Sequence, residues 1–273
     1  CFIHGSRLQP LGRPMAAMNA RQPNVEEQPV RNPIGPTSRV LVVGATRGIG
    51  LEFVRQCLAK GASVVASHRG PTPPSLLLEL SSPSLSTLEL DISDPESIDR
   101  AGKSLDGGIT HIIHNAGIYG QQVSLNGLAW GNRPAAHTIT RDIMLEVFST
   151  NAVGPLLMAQ AFHPLLAESP TRPVMAFVTS KVSSIDDNGS GGAYAYRASK
   201  IALNMIAKSL SVDLKDKASV LLLHPGYVRT DMTGGQGLID VDESVSGMLR
   251  AIEATDETSQ LRWVDYKAEI VPW

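Results

Sequence analysis

An apolar run, Val40-Leu41-Val42-Val43, stops at Gly44-Ala45-Thr46-Arg47-Gly48-Ile49-Gly50 and passes at once into a helical pattern. No other stretch of the chain restricts its fold as tightly. A strand that enters a helix through three glycines makes a turn other residues cannot follow. The first glycine permits the sharp bend, and the next lets backbone approach a ligand closely. The helix N-terminus behind them offers free N–H donors and the positive end of its dipole. Ile49, Phe53, Val54, Cys57 and Leu58 then fall on one helical face, ready to pack against a sheet. The spacing is GxxxGxG, and the physics is that of a pyrophosphate cradle.

The same alternation continues downstream. Short β-branched or apolar runs are predicted as strands at 40–43, 63–67, 86–90, 111–114, 174–179, 219–224 and 261–265. Helical patterns separate them, among them one from 141 to 162 that Pro155 should kink or divide, one following Tyr194 and one starting near Asp242 and Glu243. The expected fold is therefore α/β: a doubly wound, Rossmann-type parallel sheet of about seven strands with helices on both faces. No repeat or second linker interrupts residues 40–273, which read as one catalytic domain. Residues 1–39 differ, with six prolines, five arginines, two glutamates and no apolar periodicity. They read as a flexible tail, with an organelle leader as the alternative.

Composition narrows the function. The formal net charge of -2 argues against a dedicated nucleic-acid binder, and aromatics at 5% argue against a base-stacking platform. Two cysteines, Cys1 and Cys57, make neither a disulfide framework nor a Cys-rich zinc site, so a reducing, cytoplasmic setting is expected. His111, His114 and His137 show no paired metal-ligand spacing, and no metal is expected. No run of 18 apolar residues is present, so no membrane-spanning helix is expected.

The second predicted strand ends Ala66-Ser67-His68-Arg69. A site for NAD places a carboxylate there to hold the ribose diol. Here there is none, and Arg69 with Arg47 is suited to pairing with a 2′-phosphate. The expected cofactor is NADP(H).

Tyr196 and Lys200 lie four apart on a predicted helix and so share a face. A neighbouring ammonium is expected to draw the phenol down from about 10 toward the working range, making Tyr196 a general acid/base. A strand ending Phe177-Val178-Thr179-Ser180 delivers a hydroxyl to the carboxyl edge of the sheet, where open α/β folds bind ligands. Asn151 is a polar amide in the otherwise apolar Asn151-Ala152-Val153-Gly154.

Together these residues resemble the single-domain short-chain dehydrogenase/reductase family, over about Arg39 to Trp273. The resemblance implies the following roles. Gly44, Thr46, Arg47, Gly48, Ile49 and Gly50 form the cofactor turn; Asp91 and Ile92 hold the adenine; Asn115, Ala116 and Gly117 line the cofactor at the fourth strand. Asn151, Ser180, Tyr196 and Lys200 match the catalytic tetrad, Lys200 also binding the ribose. Pro225, Gly226, Val228 and Thr230 match the segment over the nicotinamide. Within the family, the long Ser180-to-Tyr196 spacing, the stretch from Lys208 to Leu214 and the ending Trp263-Val264-Asp265-Tyr266 through Pro272-Trp273 point toward the sniffer and C-factor-like carbonyl reductases.

Some positions depart from the family pattern. Val43 replaces a Thr, Thr110 an Asp, and Thr179 the first Ser of a pair. His114 replaces the first Asn of NNAG, on what the pattern suggests is the adenosine side. The implied activity is NADPH-dependent reduction of a ketone, aldehyde or quinone to an alcohol. The implied partner is a small carbonyl or alcohol molecule, with a homo-oligomer allowed. Residues 182–192 and 232–241 are the expected substrate loops, the second a lid. The competing reading is a catalytically silent NADP(H)-binding regulator. An epimerase or dehydratase is disfavoured because only 43 residues follow Thr230.

Overall fold

A computed structural model describes residues 29–120, 139–168, 171–256 and 261–273. The strands are β1 (Arg39–Val43), β2 (Ser63–His68), β3 (Leu85–Glu89), β4 (His111–His114), β5 (Val174–Val178), β6 (Ser219–His224) and β7 (Arg262–Asp265). All pair in parallel in the order β3-β2-β1-β4-β5-β6-β7. The order reverses between β1 and β4. Chains leaving those two strands diverge to opposite faces and open a crevice at the carboxyl edge, where such sheets bind ligands.

Each strand alternates between two cores, because successive side chains point to opposite faces. Val40, Val42, Ala66, Ile113 and Ala176 face α1 (Gly48–Ala59) and α7 (Val241–Glu253), meeting Phe53, Val54, Cys57, Val245 and Met248. Leu41, Val43, Ile112, Met175 and Phe177 face the other way. They meet Ile98 of α3 (Pro95–Ser104), Met158 and Phe162 of α5 (Gly154–Phe162), and Leu203 and Ala207 of α6 (Tyr194–Asp213). A short α2 (Ser75–Leu78) buries Leu77 under the first of these layers.

The helical stretch expected at 141–162 is indeed divided. α4 (Arg141–Phe148) and α5 are joined by a π-helical turn, Ser149–Val153, and Pro155 stands in the first turn of α5. Proline has no N–H to donate, and it stands directly after the π-helical turn, where the i to i−4 bonding pattern is already interrupted. Such π turns are common at functional sites, and Asn151 sits in the middle of this one.

Of the expected tail, residues 1–28 lie outside the described residues, as does His137. The part just before β1 is fastened to the end of α7. Arg31 and Asn32 donate backbone bonds to the Glu253 carbonyl, Ile34 is buried, and Lys60 pairs with the Glu253 carboxylate at 2.9 Å. Burial pushes the Cys57 thiol up to about 12, so it acts as a small apolar core residue rather than a nucleophile. Among the described residues no helix is long and apolar enough to cross a membrane.

Phe53 is fully buried in the layer that seats α1. Phe53→Ala is expected to cost about 3–5 kcal/mol, read as a lower urea midpoint at unchanged slope.

Candidate active site

Strand β1 ends in a turn built on close backbone contacts. A Cβ on Gly44 would lie 2.8 Å from the Ala116 backbone, and Gly44 has φ +79. A Cβ on Gly50 would lie 1.9 Å from the Gly44 carbonyl oxygen. Asn115 Nδ2 donates to that same oxygen at 3.0 Å, while the Gly44 N–H donates to Ser67 Oγ at 2.8 Å. The glycine turn, the end of β2 and the exit of β4 thus form one fastened unit. Arg47 is the extended residue that starts α1. No side chain caps the helix, and no acid lies in its first turn. Its N–H donors and dipole are therefore left to an anion.

Residues expected around the far end of a dinucleotide are arranged as follows. Arg69 is exposed at the end of β2 and lies close enough to Asp91 to help hold that carboxyl below its ordinary value. Burial is the largest influence on Asp91 and works the other way; it is outweighed by the bonds from Ser93 together with Arg69. Ser93 donates to Asp91 Oδ1 from its N–H at 2.9 Å and from its hydroxyl at 2.7 Å. Ile92 is buried against Gly154. Arg47 is engaged elsewhere: its Nη1 donates to Asp231 Oδ2 at 2.6 Å, just after Thr230. That pair bridges the glycine turn to the segment after β6. There Thr230 approaches Gly48, a Cβ on which would lie 3.6 Å from the threonine methyl. Val228 is buried, Pro225 accepts from Ser244 at 2.6 Å, and Gly226 adopts φ +84 against Tyr266.

The four tetrad candidates converge beside this unit. Asn151 is fully buried and clasps the Ile118 backbone from both sides. It accepts from Ile118 N at 2.9 Å and donates to Ile118 O at 2.8 Å, with Ser199 Oγ as its third partner at 3.0 Å. Lys200 is buried on α6 and donates to the Val178 carbonyl at 3.0 Å. Gly117 separates the two: a Cβ there would lie 3.1 Å from Asn151 Oδ1 and 3.3 Å from Lys200 Nζ. Ser180 stands directly after β5 with its hydroxyl near that of Tyr196, close enough to favour the ionised phenol.

Electrostatics corrects one expectation. Tyr196 keeps partial exposure, yet protein crowding desolvates its hydroxyl and, with the Tyr119 phenol nearby, pushes it up to about 12. The influence in the other direction is the Ser180 hydroxyl, not Lys200, whose Nζ stands 5.9 Å from the Tyr196 ring centroid. Burial in turn brings the Lys200 ammonium down to about 8. Tyr196 is thus a phenol that stays protonated, suited to donating.

His114 also differs from expectation. Its ring is fully buried on the α6 side of the sheet, 5.8 Å from the Phe177 ring, and close enough to Lys200 for that cation to add to the burial holding it down near 3. It is a neutral core imidazole behind the tetrad lysine rather than a contact on the adenosine side. Thr179, the other departure, donates to Asn204 at 2.7 Å, and Asn204 donates onward to Ser183.

Tyr119 escaped the sequence reading. Its ring stacks on Tyr196 with centroids 4.5 Å apart, and only its position two residues after Asn115-Ala116-Gly117 hinted at that place. Ser199 and Arg197 were likewise hidden inside the segment joining Tyr196 to Lys200.

Comparison with known proteins agrees with this geometry. The family model for short chain dehydrogenase matches residues 38–237. The C-signal protein of Myxococcus xanthus is 39% identical over 168 residues, spanning 61% of this chain and 94% of that one. The carbonyl reductase Sniffer of D. melanogaster superposes with a TM-score of 0.77 at 28% identity, covering 87% of this chain and 99% of that one. A carbonyl reductase from Pseudomonas aeruginosa PAO1 in complex with NADP gives 0.72 at 34% identity, covering 86% and 99%. The chain belongs to the short-chain dehydrogenase/reductase family of oxidoreductases.

Gly50→Ala places a methyl group where the Gly44 carbonyl stands, and the turn has to move. A loss of about 1–3 kcal/mol in stability is expected, checked by chemical denaturation.

Proposed function

We propose that the protein is an NADP(H)-dependent carbonyl reductase that converts a ketone, aldehyde or quinone to the alcohol. The observation that carries this reading is the Ser180–Tyr196 hydroxyl pair. It stands at the carboxyl edge of the sheet beside an uncapped, glycine-bounded helix N-terminus.

The residues fit a dinucleotide phosphate. The glycine turn and the amides opening α1 would hold the pyrophosphate, aided by Thr46 and Thr230. Arg69 lies where the 2′-phosphate would fall, with Arg47 at the other end of the turn. Asp91 and Ile92 would border the adenine, Asn115 to Gly117 the ribose, and Pro225 to Val228 the nicotinamide. NADPH, when bound, supplies the hydride. Ser180 donates a hydrogen bond to the carbonyl oxygen of the substrate, stabilising the charge that grows there. Tyr196, protonated throughout the working range, gives its proton to that oxygen. Lys200 would hold the ribose hydroxyls and keeps a positive charge beside the site. Asn151 fixes the Ile118 backbone and, across Gly117, offers with Lys200 a place for a water that returns protons from solvent.

Tyr196→Phe is expected to lower reductase turnover by about 10²- to 10⁴-fold while NADPH affinity, followed by nucleotide fluorescence, stays within about twofold. Arg69→Ala is expected to weaken NADPH about ten- to hundredfold and leave NADH little changed. NADPH binding without oxidation across a panel of aldehydes, ketones and quinones would instead support the silent regulator.

The pH dependence follows from the lysine. The Lys200 ammonium is charged below about 8 and neutral above it, whereas Tyr196 keeps its proton to about 12. Reduction is therefore expected to hold steady from neutral pH to about 8 and to fall as pH rises further, in a kcat/KM profile.

A further inference from the structure

Arg197 follows Tyr196 on α6, and its residue is only 8% exposed. Its guanidinium does not reach toward the cofactor turn. It grips both limbs of the loop at 182–192. On the near limb Nη1 donates to the Val182 carbonyl at 2.5 Å. On the far limb Nη2 donates to Ser190 Oγ at 2.8 Å and to the Gly191 carbonyl at 3.1 Å, and Nε donates to the Gly192 carbonyl at 3.2 Å. The far limb takes an unusual conformation to meet it, with Gly191, Gly192 and Ala193 all left-handed at φ +62, +65 and +48. An alanine held at positive φ costs energy that surrounding contacts have to offset.

The loop between these limbs is folded on itself. Ser183 donates to the Ser180 carbonyl at 2.6 Å, the Gly191 N–H donates to Asn188 Oδ1 at 3.1 Å, and Lys181 pairs with Asp187 at 3.3 Å. Its middle is tied to the end of the chain: the Trp273 carbonyl accepts from Asp186 N at 3.0 Å and from Ser184 Oγ at 3.1 Å. The apex carries Ile185, 73% exposed and unused by either core.

We propose that Arg197 is a positioning residue that clamps loop 182–192 into a preformed wall of the substrate mouth, presenting Ile185 to the apolar part of a carbonyl substrate. The proposal rests on the reading of the cleft as a carbonyl reductase site. A planar guanidinium suits the task because its fixed fork of donors reaches carbonyls on both limbs at once, which a lysine ammonium cannot do. Ordering the wall in advance removes its ordering entropy from each binding event. The clamp therefore acts on substrate affinity, while hydride and proton transfer remain with Ser180 and Tyr196.

The test uses Arg197→Gln and Arg197→Lys in the full chain. Hydrogen exchange at amides 186–191, the split between KM and kcat, and NADPH affinity are measured together. For Arg197→Gln, exchange at those amides is expected to accelerate at least about tenfold. KM for the best apolar ketone or quinone of the panel is expected to rise about tenfold or more, with kcat within about threefold and NADPH affinity within about twofold. Arg197→Lys should fall between the two. Unchanged exchange overturns the clamp. Faster exchange with unchanged KM overturns its role in substrate binding. A joint fall of kcat and NADPH affinity shows instead that Arg197 supports the tetrad directly. If Arg197→Gln does not fold, Ser190→Ala removes one contact of the far limb and is read the same way at smaller amplitude. If the wild-type protein reduces no carbonyl, the functional reading fails on its own, and the exchange data still decide whether the clamp exists.

Discussion

Everything at the carboxyl edge of the sheet depends on how closely the backbone leaving β1 approaches the backbone leaving β4. Gly44 packs on the Ala116 main chain and Gly50 on the Gly44 carbonyl, at separations where a methyl group has no room. Asn115 holds that carbonyl, and Ser67 of β2 holds the Gly44 amide. Three strands are thus joined at one turn. The contact fixes where α1 begins, and so where its free amides point. It also fixes where the chain after β4 runs, and Gly117 and Ile118 are the residues against which Asn151 and Lys200 are set.

From that junction a buried polar network spreads through the second helical layer. Asn151 binds Ile118 and Ser199, Lys200 binds Val178, and Thr179 binds Asn204, which binds Ser183. Polar groups buried in this way stabilise only when satisfied, and then they single out one arrangement over its neighbours. The π turn around Asn151 serves the same end. It places an amide in register with Ile118 where a regular helix would continue past it.

Much of this was legible in the chain. Most strands were visible because each is a short apolar run with turn residues at both ends, β3 (Leu85–Glu89) and β7 (Arg262–Asp265) carrying fewer apolar residues, and their alternation with helical patterns dictated parallel pairing. The glycine turn, Ser180, Tyr196 and Lys200 were visible because each sits where the topology delivers it to one edge, and the structure brings them together. What sequence could not show is what side chains do once packed. Lys200 sits four residues from Tyr196 but spends its hydrogen bond on Val178, so Ser180 and not Lys200 is the group that lowers the phenol. Arg47 looks like a phosphate ligand by position but pairs with Asp231 across the cleft. His114 follows from the sequence as a strand residue, yet only the neighbouring Phe177 and Lys200 show that it is a neutral core ring.

Two of the departures from the family pattern, His114 and Thr179, share one physical character. His114 at the end of β4 and Thr179 directly after β5 are both buried on the side that faces α6. Each replaces an amide or hydroxyl of the pattern with a group that still carries polar atoms, so the layer behind the tetrad remains polar. The consequence is electrostatic. An imidazole held neutral by burial adds no charge beside Lys200, and Thr179 turns its hydroxyl toward Asn204 without introducing one. Neither His114 nor Thr179 adds a charge toward α6, and burial of the lysine itself is what lowers its proton affinity. These two departures thus alter shape without placing a new charge beside Lys200, and the Ser180 and Tyr196 hydroxyls still stand side by side at the sheet edge.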